Sequence, residues 1–249
     1  YSEVKVDIYN PCIENSRLGI PFKEFKKIKK QDLKIIDGIH FHAMCEQNSD
    51  TLERILKVFE KNFGNYLKDI KWVSFGGGHH ITRKGYNVTK LVKLINNFKK
   101  KYDVEVILEP GEAIALNTGV LITSVLDIVK NNMGIAILDT SAEAHMPDVL
   151  AMPYRPEVIG AAKSGKYKHT YRLGGMTCLA GDVIGDYSFK KPLKPGSKII
   201  FLDMAIYSMV KNTNFNGINL PSIAIYDPKK DKIKIVRKFG YKDFRNRLS

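Results

Sequence analysis

Residues 33–110 alternate between strand and helix, and this alternation limits the fold more than any other feature of the chain. LKIIDGIHFH (33–42) is a near-continuous apolar run, as in a strand buried on both faces. Asn48, Ser49 and Asp50 then open a helix with Leu52, Ile55, Leu56, Phe59 and Phe63 at helical spacing. Asp50 and Glu53 are placed to form a capping box, and Gly64–Asn65 closes the helix. IKWVSF (70–75) predicts a second strand that runs into Gly76, Gly77 and Gly78. Asn87 to Tyr102 is a second helix with Leu91, Leu94, Ile95 and Phe98 on one stripe, and VEVILEP (104–110) a third strand. Repeated βαβ units imply parallel strands, hence an α/β sheet or barrel. A closed barrel of this kind needs eight strands. This part therefore reads as the second half of a (β/α)8 barrel, and the chain is expected to begin partway through that domain.

The pattern changes after Gly111. From residue 119 onward come short β runs (VLITSVLDIV, GIAILD, TYRLG, KIIFLDM, SIAIYD, KIKIVRKF) separated by Gly, Pro, Asn and Asp. They predict an antiparallel β-domain, and the expected division is 1–117 and 118–249. No apolar run approaches the ~20 residues of a membrane span, and the start has neither the basic nor the apolar region of a signal peptide. Three cysteines (Cys12, Cys45, Cys178) without CxxC spacing read as reduced thiols of a cytoplasmic protein. A net charge of +14, from 40 Lys+Arg against 26 Asp+Glu, raises the question of a nucleic-acid surface. The lysines fall in KKIKK (26–30), KKK (99–101), KK (190–191) and KKDKIK (229–234), dispersed and not interleaved with aromatics. They read as a solvated exterior, so neither nucleic acid nor membrane is expected as a partner.

Each barrel motif sits at the C-terminal end of its strand, the rim at which α/β barrels bind ligands. His40 and His42 alone read as one ring in the core and one outward. Gly76, Gly77 and Gly78 after a buried strand can be a tight turn, or can let backbone N–H groups approach an anion. Glu109, a carboxylate ending a buried strand, is costly unless paired. A metal set of His42, Cys45 and His79 or His80 matches no common zinc spacing, so no metal site is expected. In the second part, Cys178 lies in MTCLAGD, Tyr207 precedes NTNFNG (212–217), and Asp148 lies in HMPDVLAMPYRP.

Read in order, these motifs resemble the pocket of the fold type III, alanine-racemase-like decarboxylases that use pyridoxal phosphate. Within that family they resemble most the bacterial carboxynorspermidine/carboxyspermidine decarboxylases, whose subgroup shares His79–His80 after the glycine turn. The resemblance runs the whole length of this chain and implies specific roles. His42 stacks on the cofactor ring, Gly76, Gly77 and Gly78 cradle its phosphate, Glu109 faces the pyridine nitrogen, and Tyr207 donates to the phosphate. Cys178 is the catalytic cysteine contributed across a homodimer interface, and Asp182 lies beside the distal amine of the substrate. Relatives acting on diaminopimelate or ornithine carry EPGR where this chain has Glu112, and the diaminopimelate enzymes carry Glu where it has Leu179. Glu112 and Asp148 suit ammonium groups, which implies a cationic, polyamine-like substrate. The family's cofactor lysine lies in its N-terminal part, and no lysine of this chain matches that motif. The implied activity is decarboxylation of carboxynorspermidine or carboxyspermidine. The alternatives are decarboxylation of diaminopimelate or arginine, or a non-catalytic homologue that binds a partner.

Overall fold

A computed structural model describes residues 1–248, and these divide into two compact units, Tyr1–Ala115 and a second that begins at Leu116. In the first unit, β1 (Gly38–His40), β2 (Trp72–Ser74) and β3 (Glu105–Ile107) form a parallel sheet in that order, connected through α1 (Ser49–Phe63) and α2 (Val88–Tyr102). This is the half-barrel arrangement that the alternation predicts. The strands are shorter than the apolar runs that announce them. Of LKIIDGIHFH, Leu33 ends a single helical turn, Lys30–Leu33, and the strand begins only at Gly38.

The apolar stripes of the helices explain the core. Leu52, Ile55, Leu56 and Phe59 of α1 and Leu91 and Phe98 of α2 are buried together with Val73 and Phe75. Phe98 meets Phe75 edge to face, with ring centroids 5.1 Å apart. α2 begins with Asn87 as its cap, whose side chain accepts from the Lys90 N–H at 2.8 Å. The capping box expected at Asp50 and Glu53 does not form. Asn48 caps α1 without a side-chain bond, and both carboxylates turn to Lys90 of α2. An ammonium group within reach of two acids outcompetes one backbone N–H.

In the second unit the six-stranded sheet runs β6-β8-β7-β5-β4-β9. Its members are β4 (Leu121–Asn131), β5 (Met133–Leu138), β6 (Ala161–Lys163), β7 (His169–Gly174), β8 (Val183–Phe189) and β9 (Lys198–Phe201). All neighbours are antiparallel except β5 and β7, which run parallel. That parallel pair requires a crossover, and the chain between them supplies two short helices, α3 (Ala142–His145) and α4 (Asp148–Ala151). Leu138, Leu173, Tyr187, Ile199 and Phe201 fill the core, and the Tyr187 hydroxyl donates to the Pro156 carbonyl at 2.7 Å. A separate hairpin, β10 (Ile223–Asp227) with β11 (Lys232–Arg237), follows. No helix among the described residues is long and apolar enough to cross a membrane.

Candidate active site

Strand register brings the motifs of the first unit together. His40 pairs with Ser74, and Ser74 pairs with Ile107, so the three strands end level and their following loops share one rim. Glu109 continues from β3, its N–H donating to the Gly76 carbonyl at 2.9 Å. The Ser74 hydroxyl donates to Glu109 Oε1 at 2.6 Å and accepts from the Gly76 N–H at 3.2 Å. Ser74 is buried, yet it links the carboxylate to the glycine turn. Glu109 Oε2 lies 3.4 Å from His40 Nε2, and about half of the Glu109 side chain is exposed. The hydrogen bond from Ser74 holds the Glu109 carboxyl below its usual value, aided by the nearby imidazoles and opposed by desolvation. The carboxylate thus stays charged and keeps one oxygen for a further donor.

Residues two apart on a strand point to one face, so the reading of one histidine inward and one outward fails. The His40 and His42 rings lie 6.5 Å apart and converge on Glu109. The Gly77 N–H donates to His42 Nδ1 at 3.3 Å, which fixes the ring against the glycine turn. Each of the three glycines is required by space. A Cβ on Gly77 would stand 2.6 Å from the Glu109 carbonyl oxygen. One on Gly76 would stand 2.9 Å from His42 Cα, and one on Gly78 would collide with the Met44 carbonyl. Gly76 (φ +67°) and Gly78 (φ +78°) also need the left-handed backbone that glycine adopts without strain. A flat ring beside a carboxylate, next to a turn with no side chains, fits pyridoxal phosphate in shape and in charge.

His79 is buried, with no hydrogen bond to either ring nitrogen. The Phe75 and Gly76 carbonyls lie nearby without closing one, and burial pushes the imidazole below its usual value. Glu112 is paired with Arg83 and lies 3.5 Å from His80 Nε2, so it is not a bare carboxylate. Among the described residues, His40, His42 and Glu109, and separately Glu46, His80 and Glu112, could each bring three donor atoms within 4.8 Å. Neither set contains Cys45 or His79.

The second unit carries the remaining residues. Cys178 is exposed and forms no disulfide. Its N–H donates to Asn216 Oδ1 at 2.7 Å. Asp182 is buried, and its carboxylate accepts five hydrogen bonds from Ser141, Ala142, Glu143 and the N–H and hydroxyl of Thr177. A carboxylate has about four lone-pair sites, so the expectation that Asp182 holds a substrate amine does not fit this geometry. Asp148 is paired with Lys211. Tyr207 is exposed on a turn with φ +52°, its carbonyl accepting from the Val210 and Lys211 N–H groups at 2.8 Å.

Sequence reasoning missed Ser74, Arg83, Lys211 and Asn216. A signal existed for Ser74, the one polar residue at the end of an otherwise apolar strand, and for Asn216, which lies inside a motif already singled out. Arg83 and Lys211 carried none, because salt-bridge partners follow from loop paths.

The sequence matches the family described as pyridoxal-dependent decarboxylase, C-terminal sheet domain, over residues 6–205. It is 50% identical to the carboxynorspermidine/carboxyspermidine decarboxylase of Campylobacter jejuni, over 98% of this chain and 66% of that protein. It is 43% identical to the carboxyaminopropylagmatine decarboxylase of Synechocystis, over 100% of this chain and 64% of the relative. The fold is similar to the crystal structure of Campylobacter jejuni carboxynorspermidine decarboxylase complexed with norspermidine. There the TM-score is 0.87 at 51% identity, covering 94% of this chain and 66% of the other. The chain therefore spans about two thirds of the length of the relatives it matches.

Proposed function

The chain belongs to the pyridoxal-dependent decarboxylases, and from that premise we propose that it is part of an enzyme that decarboxylates carboxynorspermidine or carboxyspermidine to norspermidine or spermidine. The observation that carries the reading is Glu109, held charged by Ser74 on one oxygen and half exposed, with His40 Nε2 3.4 Å from the other oxygen, beside the glycine turn and the His42 ring. The similarity to the Campylobacter jejuni relatives supports the choice of substrate.

When bound, pyridoxal phosphate supplies the electron sink for the pair of electrons left behind as carbon dioxide departs. Glu109 Oε2 would accept a hydrogen bond from the protonated pyridine nitrogen and so keep it charged. His42 would hold the ring plane, and Gly76, Gly77 and Gly78 would leave space for the phosphate group. Tyr207 would donate its hydroxyl to that phosphate. Glu112 and Asp148 meet the ammonium groups of the substrate by exchange, since each already carries a cation, Arg83 and Lys211 respectively. Cys178 would deliver a proton to the carbon that lost its carboxylate. We place the enzyme in the cytoplasm as a homodimer in which the Cys178 turn of one subunit completes the pocket of the other.

The 43% identity to a carboxyaminopropylagmatine decarboxylase favours one second reading, a substrate that ends in a guanidinium group. The test is carbon dioxide release by the full-length protein from carboxynorspermidine, carboxyspermidine, carboxyaminopropylagmatine and diaminopimelate. The expected result is at least tenfold higher kcat/KM on the first two. Preference for the guanidino substrate would establish the second reading, and preference for diaminopimelate would overturn both. A protein that takes up no cofactor would be a non-catalytic homologue.

A further inference from the structure

A closed circuit of hydrogen bonds runs through the second unit and passes through the backbone of Cys178. Asp182 Oδ1 accepts from the Ala142 N–H at 2.7 Å and the Glu143 N–H at 3.3 Å, holding the start of α3. Its Oδ2 accepts from the Ser141 hydroxyl at 2.9 Å, the Thr177 N–H at 3.1 Å and the Thr177 hydroxyl at 2.8 Å. The far end of α3 holds the segment after Tyr207. The Thr213 N–H donates to the Ala144 carbonyl at 2.7 Å, and His145 Nε2 meets the Asn219 carbonyl at 3.0 Å. Within that segment Asn216, at φ +56°, turns its side chain back to accept the Cys178 N–H at 2.7 Å. Thr177 then returns the path to Asp182.

The residues around this circuit are built for it. A Cβ on Gly175 would stand 2.6 Å from Asp182 Cγ, so only glycine lets the turn pack on the carboxylate. Asp182 also closes the turn through its own backbone, its N–H donating to Leu179 O and its carbonyl accepting from Gly175 N–H, both at 2.9 Å. Asn216 stands in the left-handed region that asparagine tolerates better than most residues. The turn is thus fixed on both sides of Cys178, while the thiol itself stays in solvent.

We propose that Asp182 and Asn216 are positioning residues for Cys178, one anchoring its turn from Thr177 and the other from the Cys178 N–H. This rests on the reading of Cys178 as the proton-delivering thiol. A carbon atom to be protonated on one face needs a thiol fixed in direction. An exposed cysteine on a free turn gives none, whereas a turn pinned at both shoulders does.

The test compares wild type with Asn216→Gly, which keeps the left-handed backbone and removes the acceptor, Asn216→Asp, which keeps both, and Asp182→Asn. Two readouts are independent of catalysis: amide exchange of residues 176–180, and the rate of Cys178 alkylation by iodoacetamide, read by mass on its own peptide. Loss of one backbone anchor is expected to speed exchange there by about tenfold, with the alkylation rate changed several-fold. Asn216→Asp should restore both, and Asp182→Asn should loosen the turn further. In the full-length enzyme, Asn216→Gly should lower kcat with KM unchanged. Wild-type exchange and alkylation in Asn216→Gly would overturn the proposal. Full activity in Cys178→Ala would instead overturn the catalytic reading of the thiol while leaving the exchange result in place.

Discussion

Glu109 in the first unit and Asp182 in the second are both carboxylates at the border of a strand, and they are built for opposite ends. Glu109 is half exposed, takes one strong hydrogen bond on one oxygen and has only His40 Nε2, at 3.4 Å, beside the other. Asp182 is 5% exposed and takes five, none of them from outside its own unit. Residue type and family resemblance put both in the pocket. Counting donors separates them, because a saturated carboxylate holds its own chain and an unsaturated one is available to a ligand.

The largest effect expected from this contrast comes from removing each carboxylate in turn. Asp182→Ala leaves five donors without their acceptor, and a loss of about 4 kcal/mol is expected. Glu109→Gln should cost less than about 1 kcal/mol, since its surroundings are wet and only the Ser74 bond and the half-exposed His40 contact are affected. Urea unfolding followed by exchange in each unit separately measures both. Equal losses would mean that donor count does not distinguish the two roles.

The next effect sharpens the claim that the rim of the first unit is shaped to hold a ligand. Gly78→Ala meets both a left-handed φ and the Met44 carbonyl, and should destabilise by about 3 kcal/mol. Gly19 has a similar φ of +73° and nothing within 4 Å of where a methyl group would stand, so Gly19→Ala should cost only about 1 kcal/mol. Thermal unfolding of the two variants should differ clearly. A Gly78→Ala protein as stable as Gly19→Ala would show that the turn can open.

The two units also differ in how far the sequence alone discloses them. The parallel half-barrel was legible because buried strands and amphipathic helices alternate with periods that amino-acid order carries directly. The clustering of His42, Gly76, Gly77, Gly78 and Glu109 was legible for the same reason, since each lies where a strand ends. The parallel pairing of β5 with β7 was not, because a short strand carries no mark of its partner. Nor were the ion pairs of Glu112 with Arg83 and Asp148 with Lys211, which join residues 29 and 63 positions apart. Asp182 shows the limit most clearly: its motif assigns it to the substrate, and only its five donors show what it holds.

A smaller effect isolates Ser74. Ser74→Ala removes the donor to Glu109 Oε1, and a net hydrogen bond of this kind is worth about 1 kcal/mol. The Glu109 carboxyl should therefore titrate at higher pH in the variant than in wild type, since the bond that favours its charged form is gone. Carboxyl chemical shifts followed through the acid range measure it. An unchanged titration would mean that His40 alone holds the charge.

The smallest effect turns on the two buried histidines, one in each unit, both pushed below the usual imidazole value by burial. The folded protein resists a proton that the unfolded chain accepts at about pH 6.5. Their contribution to stability is therefore full above that pH and is lost as pH falls through the lower folded values. The units should not respond alike, because their rings are held differently. His145 Nε2 faces the Asn219 carbonyl and so must donate, which leaves Nδ1 to accept from the Thr140 hydroxyl at 2.9 Å. A second proton on that ring reverses the Thr140 bond, whose hydroxyl must turn to accept from Nδ1–H, and places a charge beside the segment that carries Asn216. His79 has no such bond to reverse. Exchange measured between pH 7.5 and pH 5 should accordingly rise around residues 212–219 in wild type and stay flat there in His145→Gln. His79→Gln should flatten only the response of the first unit. If His79→Gln also changed exchange at 212–219, the two histidines would be coupled, and the division of labour between an open binding rim and a saturated scaffold would not hold.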